Sequence, residues 1–187
     1  MKNILLGVTG SIAAYKAAEI TRLLVKKGIS VQVVMTENAG RFISPLTFQT
    51  LTKHKVYTEM FEEMFYEDVR HISIAKSADA AIVAPATAGI IGKLASGIAD
   101  DMLSTVLMAM AHKPALICPA MNTAMWENPI VQENMKKLKT YGYSFVEPKE
   151  SELACGSSGK GALANVDDIV NAALLLLENS EKQSRKT

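Results

Sequence analysis

The sequence is poor in the residues that staple or metallate small proteins. Cysteine occurs twice in 187 residues, as Cys118 and Cys155. Two cysteines make no disulfide framework in a chain this long, and these form no Cys-x-x-Cys pair. The three histidines, His54, His71 and His112, stand at no metal-binding spacing. A metal centre is therefore not expected, and difficult chemistry would fall to an organic cofactor. A charge of one sign is missing as well. Twenty Lys plus Arg against 19 Asp plus Glu leave a net charge of +1, which gives a nucleic acid no electrostatic foothold. Long apolar runs are absent too. Met1-Lys2-Asn3-Ile4-Leu5-Leu6-Gly7-Val8 is far too short to span a bilayer and lacks a signal-peptide cleavage pattern. The expectation is a cytoplasmic protein with no membrane and no nucleic-acid partner.

What the chain does have is material for a core. Its hydrophobic fraction of 49% and its length suit one compact domain, drawn here as residues 1–178 with a polar tail at 179–187. Asn3–Val8 reads as a buried strand and Ile12–Lys27 as a helix, with Ala14, Ala17, Ala18, Ile20, Leu23 and Leu24 on one side and Gly28 as its stop. Val31–Met35 is a second strand, which completes a βαβ unit. Thr36-Glu37-Asn38 opens a short helix, and Ser44-Pro45 starts another through about Leu51. Residues 57–68 have no clear period and read as a loop. Strands follow at 80–84 and 115–118, each closed by a proline, and at 144–146. Helices are predicted at 87–96, 101–110, 129–141 and 166–178, with a glycine- and serine-rich loop at 147–163. This alternation predicts an α/β fold: a three-layer, Rossmann-like (flavodoxin-like) parallel sheet with helices on both faces. Ligands of such sheets sit at the carboxyl ends of the strands, where the segments 9–12, 36–38, 85–89 and 119–126 fall.

Gly10-Ser11-Ile12 joins the first strand to the first helix. A glycine there lets the backbone approach a ligand, and a helix N-terminus offers free N–H groups to a phosphate. The same turn serves equally well as a plain connection. The glycine spacing is neither the dinucleotide fingerprint nor a P-loop, which favours a mononucleotide such as FMN.

Several stretches resemble the homo-oligomeric flavin-containing cysteine decarboxylases. They are Thr9–Lys16, His71-Ile72, Ala84-Pro85-Ala86-Thr87-Ala88, Gly97–Leu103, Pro119-Ala120-Met121-Asn122-Thr123-Ala124-Met125-Trp126, and Ala154-Cys155-Gly156 with Gly159 and Gly161. Gly89 stands where the family usually carries a flavin-contacting asparagine, and Asp100 where asparagine is frequent. The resemblance implies FMN held by Gly10, Ser11, Ile12, Thr36, Asn38, Thr87 and Ala88, with Ala120 near the ring. It implies that His71 is the base and Cys155 the proton donor. Asn122 would bind the substrate carboxylate, with Met121, Ala154 and Gly156 around it. The implied substrate is 4′-phosphopantothenoylcysteine and the product 4′-phosphopantetheine, in coenzyme A biosynthesis. The implied assembly is a homotrimer or four trimers in a dodecamer, and a separate phosphopantothenoylcysteine synthetase is a further partner. Two relatives compete: a peptidyl-cysteine decarboxylase, which stops at the enethiol and lacks the reducing cysteine, and a flavoprotein that regulates a phosphatase without catalysis. Cys155 argues against the first, and the want of a long acidic extension against the second.

The chemistry explains the residue types. Loss of CO₂ leaves an electron pair at Cα, and an unmodified cysteine offers it no sink. Oxidation of CH₂–SH to a thioaldehyde supplies one, and decarboxylation then gives an enethiolate that must be reduced again. A neutral amide at Asn122 orients the carboxylate without trapping the charge that leaves as CO₂.

Overall fold

Strand β1 (Asn3–Val8) lies between β2 (Ser30–Met35) and β3 (Ala80–Ala86), and β4 (Ala115–Pro119) and β5 (Ser144–Phe145) extend the sheet beyond β3. The structure, a computed structural model, describes residues 2–60, 69–110, 112–152 and 158–184. All four pairings of the sheet are parallel, with Leu6 opposite Val33 on one side and Ile82 on the other. The strand order 2-1-3-4-5 is that of flavodoxin-like folds.

The strands are apolar at nearly every position because helices cover both faces. Ile4, Leu6, Val8, Val33 and Ile82 face α1 (Ala14–Lys26), α3 (Pro45–Thr52) and α9 (Val166–Ser184). The intervening Leu5, Val34, Val83 and Ile117 face α4 (Arg70–Ser77), α5 (Ala88–Ser96), α6 (Met102–Ala109) and α8 (Pro129–Thr140). Two short helices, α2 (Glu37–Gly40) and α7 (Thr123–Trp126), follow β2 and β4. Among the described residues, no helix is long and apolar enough to cross a membrane.

The departures from expectation have local causes. Helix α1 begins at Ala14 because Ser11–Ala13 turn first, with the Ala14 N–H donating to the Ser11 carbonyl at 2.9 Å. Strand β3 runs through its proline, whereas β4 ends on Pro119. The Ala84–Pro85 bond is cis, and Ala86 still pairs with Pro119 across a register shift, where a proline's missing N–H is tolerated. Residues 147–163 are not all loop: β6 (Lys149–Glu152) and β7 (Ser158–Ala162) form an antiparallel hairpin. Tyr57 joins the outer edge of β2, its carbonyl accepting from the Met35 N–H at 2.8 Å, while residues 61–68 lie outside the described set. Helix α9 continues past Glu178 to Ser184.

Helix α4 was not foreseen. It has no side-chain cap at its start, but its far end is gripped. The Lys113 ammonium donates to the carbonyls of Ala75, Lys76 and Ala78 at 2.8, 2.6 and 2.6 Å, neutralising the negative end of the helix. Lys113→Met keeps the aliphatic stem but strands these carbonyls. It is expected to cost about 2 kcal/mol in urea unfolding.

Candidate active site

The carboxyl ends of β1, β2 and β3 surround a cavity of 290 Å³, at the lower end of the small-molecule range. Thr9 and Gly10 follow β1; Thr36, Glu37 and Asn38 follow β2; Thr87, Gly89 and Ile90 come from the start of α5, Lys93 from its last turn, and Asp101 from the start of α6. The chain passes from β1 to β2 on one side and returns to β3 on the other. The cavity thus lies at the topological switch point, where such sheets bind ligands.

Thr9 organises this end of the sheet. It is 2% exposed, and its hydroxyl donates to the Pro85 carbonyl at 2.8 Å and accepts the Thr87 N–H at 3.1 Å. Gly10 permits the next contact: a Cβ there would lie 2.5 Å from the Asn38 Cβ and 3.1 Å from its carbonyl carbon. The turn after β1 and the segment after β2 therefore meet only because residue 10 has no side chain.

The groups offered to a ligand are mostly neutral donors. The N–H of Ser11 is taken by the Thr9 carbonyl at 2.9 Å, and Ser11 Oγ accepts the Ala13 N–H at 3.3 Å. The N–H groups of Gly10 and Ile12 make no hydrogen bond to described residues. Thr36 caps α2 by accepting from the Ala39 N–H at 3.3 Å, and Thr87 caps α5 by accepting from the Ile90 N–H at 3.4 Å. The N–H groups of Glu37 and Asn38 in α2 and of Ala88 and Gly89 in α5 make no hydrogen bond to described residues. This donor set, with the Gly10 cradle, fits the phosphate and hydroxyl-bearing arm of a mononucleotide.

Lys93, the cation on the cavity wall, is already engaged. Its ammonium donates to Asp100 and Asp101, both at 2.6 Å. The hydrogen bond to Asp100, then that to Asp101, raises its pKa. Burial pushes the Asp101 carboxyl up, but the Lys93 ammonium and the Ser104 N–H and hydroxyl outweigh it and hold the group below its ordinary value. Asp101 and Ser104 also form a reciprocal cap at the start of α6.

Of the residues expected around the flavin, Gly10, Thr36, Asn38 and Thr87 share this cavity. Ser11 lies in the turn beside it, Ile12 is 59% exposed, and Ala88 opens α5 half-buried. Ala120 is buried one strand further across, its N–H on the Ala86 carbonyl at 3.0 Å. Half-buried Met121 and exposed Asn122 come next, and Asn122 Oδ1 caps α7 by accepting the Ala124 N–H at 2.8 Å. Half-buried His71 is the second residue of α4. That helix turns directly into β3, so its start faces the end of the sheet where the strands finish. The cavity wall includes neither His71 nor Asn122. Ala154, Cys155 and Gly156 lie outside the described residues. The hairpin strands on either side of them are described, and β7 docks on the segment after β4, with the Met121 N–H donating to the Gly161 carbonyl at 2.9 Å. Sequence reasoning placed Thr9 and Asp101 in matching stretches without giving either a role at the site, and passed over Lys93. The acidic pair before a helical run was a readable capping signal, whereas the Thr9 bridge spans 78 positions and had none.

Residues 1–177 match the family model described as Flavoprotein. The chain is 53% identical over 172 residues to the "Coenzyme A biosynthesis bifunctional protein CoaBC" of Bacillus subtilis, a match covering 92% of this chain and 42% of that relative. The chain thus spans less than half the length of the bifunctional relatives. It is 48% identical over 170 residues to the "Probable phosphopantothenoylcysteine decarboxylase" of Streptococcus mutans, covering 90% of this chain and 95% of that one. Among solved structures, it resembles a cysteine-to-serine mutant of PPC decarboxylase complexed with pantothenoylaminoethenethiol, with a TM-score of 0.87, 30% identity and coverage of 95% and 98%. It also resembles "The FMN binding protein AtHal3", with a TM-score of 0.84, 30% identity and coverage of 95% and 97%.

Two outcomes follow from this geometry. With its folded pKa lowered, Asp101 contributes stability that is present above its ordinary value of 3.8 and lost as pH falls through the lower folded value. Asp101→Asn should therefore flatten the acid limb of a stability-versus-pH curve. At Gly89 an added Cβ meets only Thr87 Oγ1, at 3.7 Å. Gly89→Asn is expected to fold normally and to slow flavin release several-fold, read from the fluorescence of freed flavin.

Proposed function

The chain belongs to the Flavoprotein family, and on that premise we propose that it converts 4′-phosphopantothenoylcysteine to 4′-phosphopantetheine with FMN as its cofactor. The observation that carries this reading is the nearly end-to-end match to the free-standing Streptococcus mutans relative. The four cofactor residues gathered at the switch-point cavity support it.

In this reading the N–H groups of Gly10 and Ile12, Ser11 and the starts of α2 and α5 hold the phosphate arm, with Ala88 and Ala120 nearer the ring. FMN, when bound, supplies a two-electron acceptor for the thiol-bearing carbon and gives those electrons back, so no outside oxidant is consumed. An imidazole nitrogen of His71 takes the proton that leaves the substrate thiol; imidazole is the side chain suited to such transfers near neutral pH. Asn122 orients the carboxylate. A carboxylate accepts hydrogen bonds, so the group suited to it is the amide N–H₂ and not Oδ1, which caps α7. The Cα–carboxylate bond then breaks, its electron pair forms the Cα–Cβ double bond, and sulfur carries the charge of the enethiolate. Met121, Ala154 and Gly156 flank the substrate, and the Cys155 Sγ–H delivers the proton needed to saturate the double bond. Over the cycle one proton is taken up and CO₂ departs. The same reading makes the protein a cytoplasmic homotrimer, or a dodecamer of four trimers, and makes a phosphopantothenoylcysteine synthetase the source of its substrate.

The purified protein should be yellow and should release CO₂ from 4′-phosphopantothenoylcysteine without oxygen, with mass analysis returning the saturated product. An accumulating enethiol in the wild type would instead indicate the peptide-type reaction. Cys155→Ser should decarboxylate and then stall at the enethiol. His71→Asn should lose roughly 100-fold or more in kcat while keeping its flavin.

A further inference from the structure

Asn122 sits at the head of a helix of four residues, α7, too short to hold its own shape in water. Its position must therefore be set by what it rests against, and strand β7 meets it on both flanks. On one side the Met121 N–H donates to the Gly161 carbonyl at 2.9 Å. A Cβ at Gly161 would overlap the Met121 carbonyl oxygen and lie 3.4 Å from the carbonyl carbon of Asn122 itself. On the other side the Thr123 side chain fills the notch at Gly159. A Cβ there would overlap Thr123 Oγ1 and lie 2.9 Å from Cγ2 and 3.2 Å from Cβ. The Thr123 hydroxyl is buried with no hydrogen-bond partner among the described residues, and the bare Gly159 backbone lies against it. Between the two glycines, Lys160 extends over the ring of Trp126, the last residue of α7, with its ammonium 5.5 Å from the ring centroid, and pairs with Glu147.

We propose that Gly159 and Gly161 are positioning residues for substrate: their missing side chains let β7 seat against Met121–Thr123, and that seat aims Asn122 at the substrate carboxylate. The inference rests on the decarboxylase reading above. It makes the two glycines requirements of a backbone-to-backbone fit and gives Thr123 a role in shape, not in chemistry.

The test uses the FMN-loaded protein and exploits a complementary pair. Gly159→Ala creates an overlap that Thr123→Ala relieves, since only the Cβ contact at 3.2 Å remains. Gly161→Ala meets backbone and has no such relief. Trp126 is the one tryptophan of the chain and reports seating independently of turnover. Gly159→Ala is expected to keep its FMN, shift the Trp126 emission to the red and lower kcat/KM for 4′-phosphopantothenoylcysteine by about 10- to 100-fold. Adding Thr123→Ala should reverse most of both changes, and should reverse neither in Gly161→Ala. Should Gly159→Ala fail to accumulate as folded protein, Lys160→Ser, which introduces no overlap, should show the same red shift with a several-fold loss of kcat/KM. An active wild type with unchanged kcat/KM in Gly159→Ala, a loss that Thr123→Ala does not relieve, or an unaltered Lys160→Ser would overturn this inference alone. A wild type inert toward the substrate would overturn the decarboxylase reading and this inference with it.

Discussion

One hydroxyl joins the two strands between which the chain reverses direction. Thr9 takes the Thr87 N–H and gives its own proton to the Pro85 carbonyl, so the ends of β1 and β3 are locked at a fixed separation. The starts of α1 and α5 inherit that separation, and with it the spacing of the donors they present. Gly10, the residue after Thr9, then lets the end of β2 close in through Asn38. The cavity follows from these two short-range facts. A buried hydroxyl with both roles satisfied strengthens such a joint, whereas an apolar replacement would leave a carbonyl and an N–H facing each other without a partner.

The electrostatics of the site favour neutral donors over free charge. Lys93 spends its charge on Asp100 and Asp101, which leaves helix starts and threonine hydroxyls to meet an anion. Across neutral pH Lys93 and Asp101 stay ionised, because Asp101 titrates lower than usual and Lys93 higher. The Lys93–Asp101 pair on the cavity wall therefore keeps a constant charge over the range in which a phosphate gains or loses its second proton. In the proposed reaction Asn122 would follow the same logic at the other ligand, meeting a carboxylate with an amide.

Much of the architecture was legible because it is written in local pattern. Apolar runs between turn signals marked the strands, and Gly28 and Gly97 marked helix ends; both have positive φ there. Pro85 misled, since it lies inside β3 where the ladder is irregular, whereas Pro119 does close β4. Helix α4 escaped notice because its stability comes from Lys113, more than 30 positions downstream. The β6–β7 hairpin escaped because its residues are polar and glycine-rich, poor strand formers that pair because they are seated on Met121–Thr123. In the site, Gly10, Thr36, Asn38 and Thr87 were marked by motif and share the cavity, while the Thr9 bridge and the Gly10–Asn38 contact depend on segments that only the folded chain brings together.

The interior of the sheet bears on the chain's thiol chemistry. Cys118 on β4 is fully buried among apolar side chains, and burial pushes its thiol well above the ordinary range, so almost no thiolate forms there. Alkylating and oxidising reagents act on thiolate. Label taken up by the native chain thus reports on Cys155 alone. The appearance of a second label per chain times the opening of the sheet itself, which makes Cys118 a built-in clock for global unfolding.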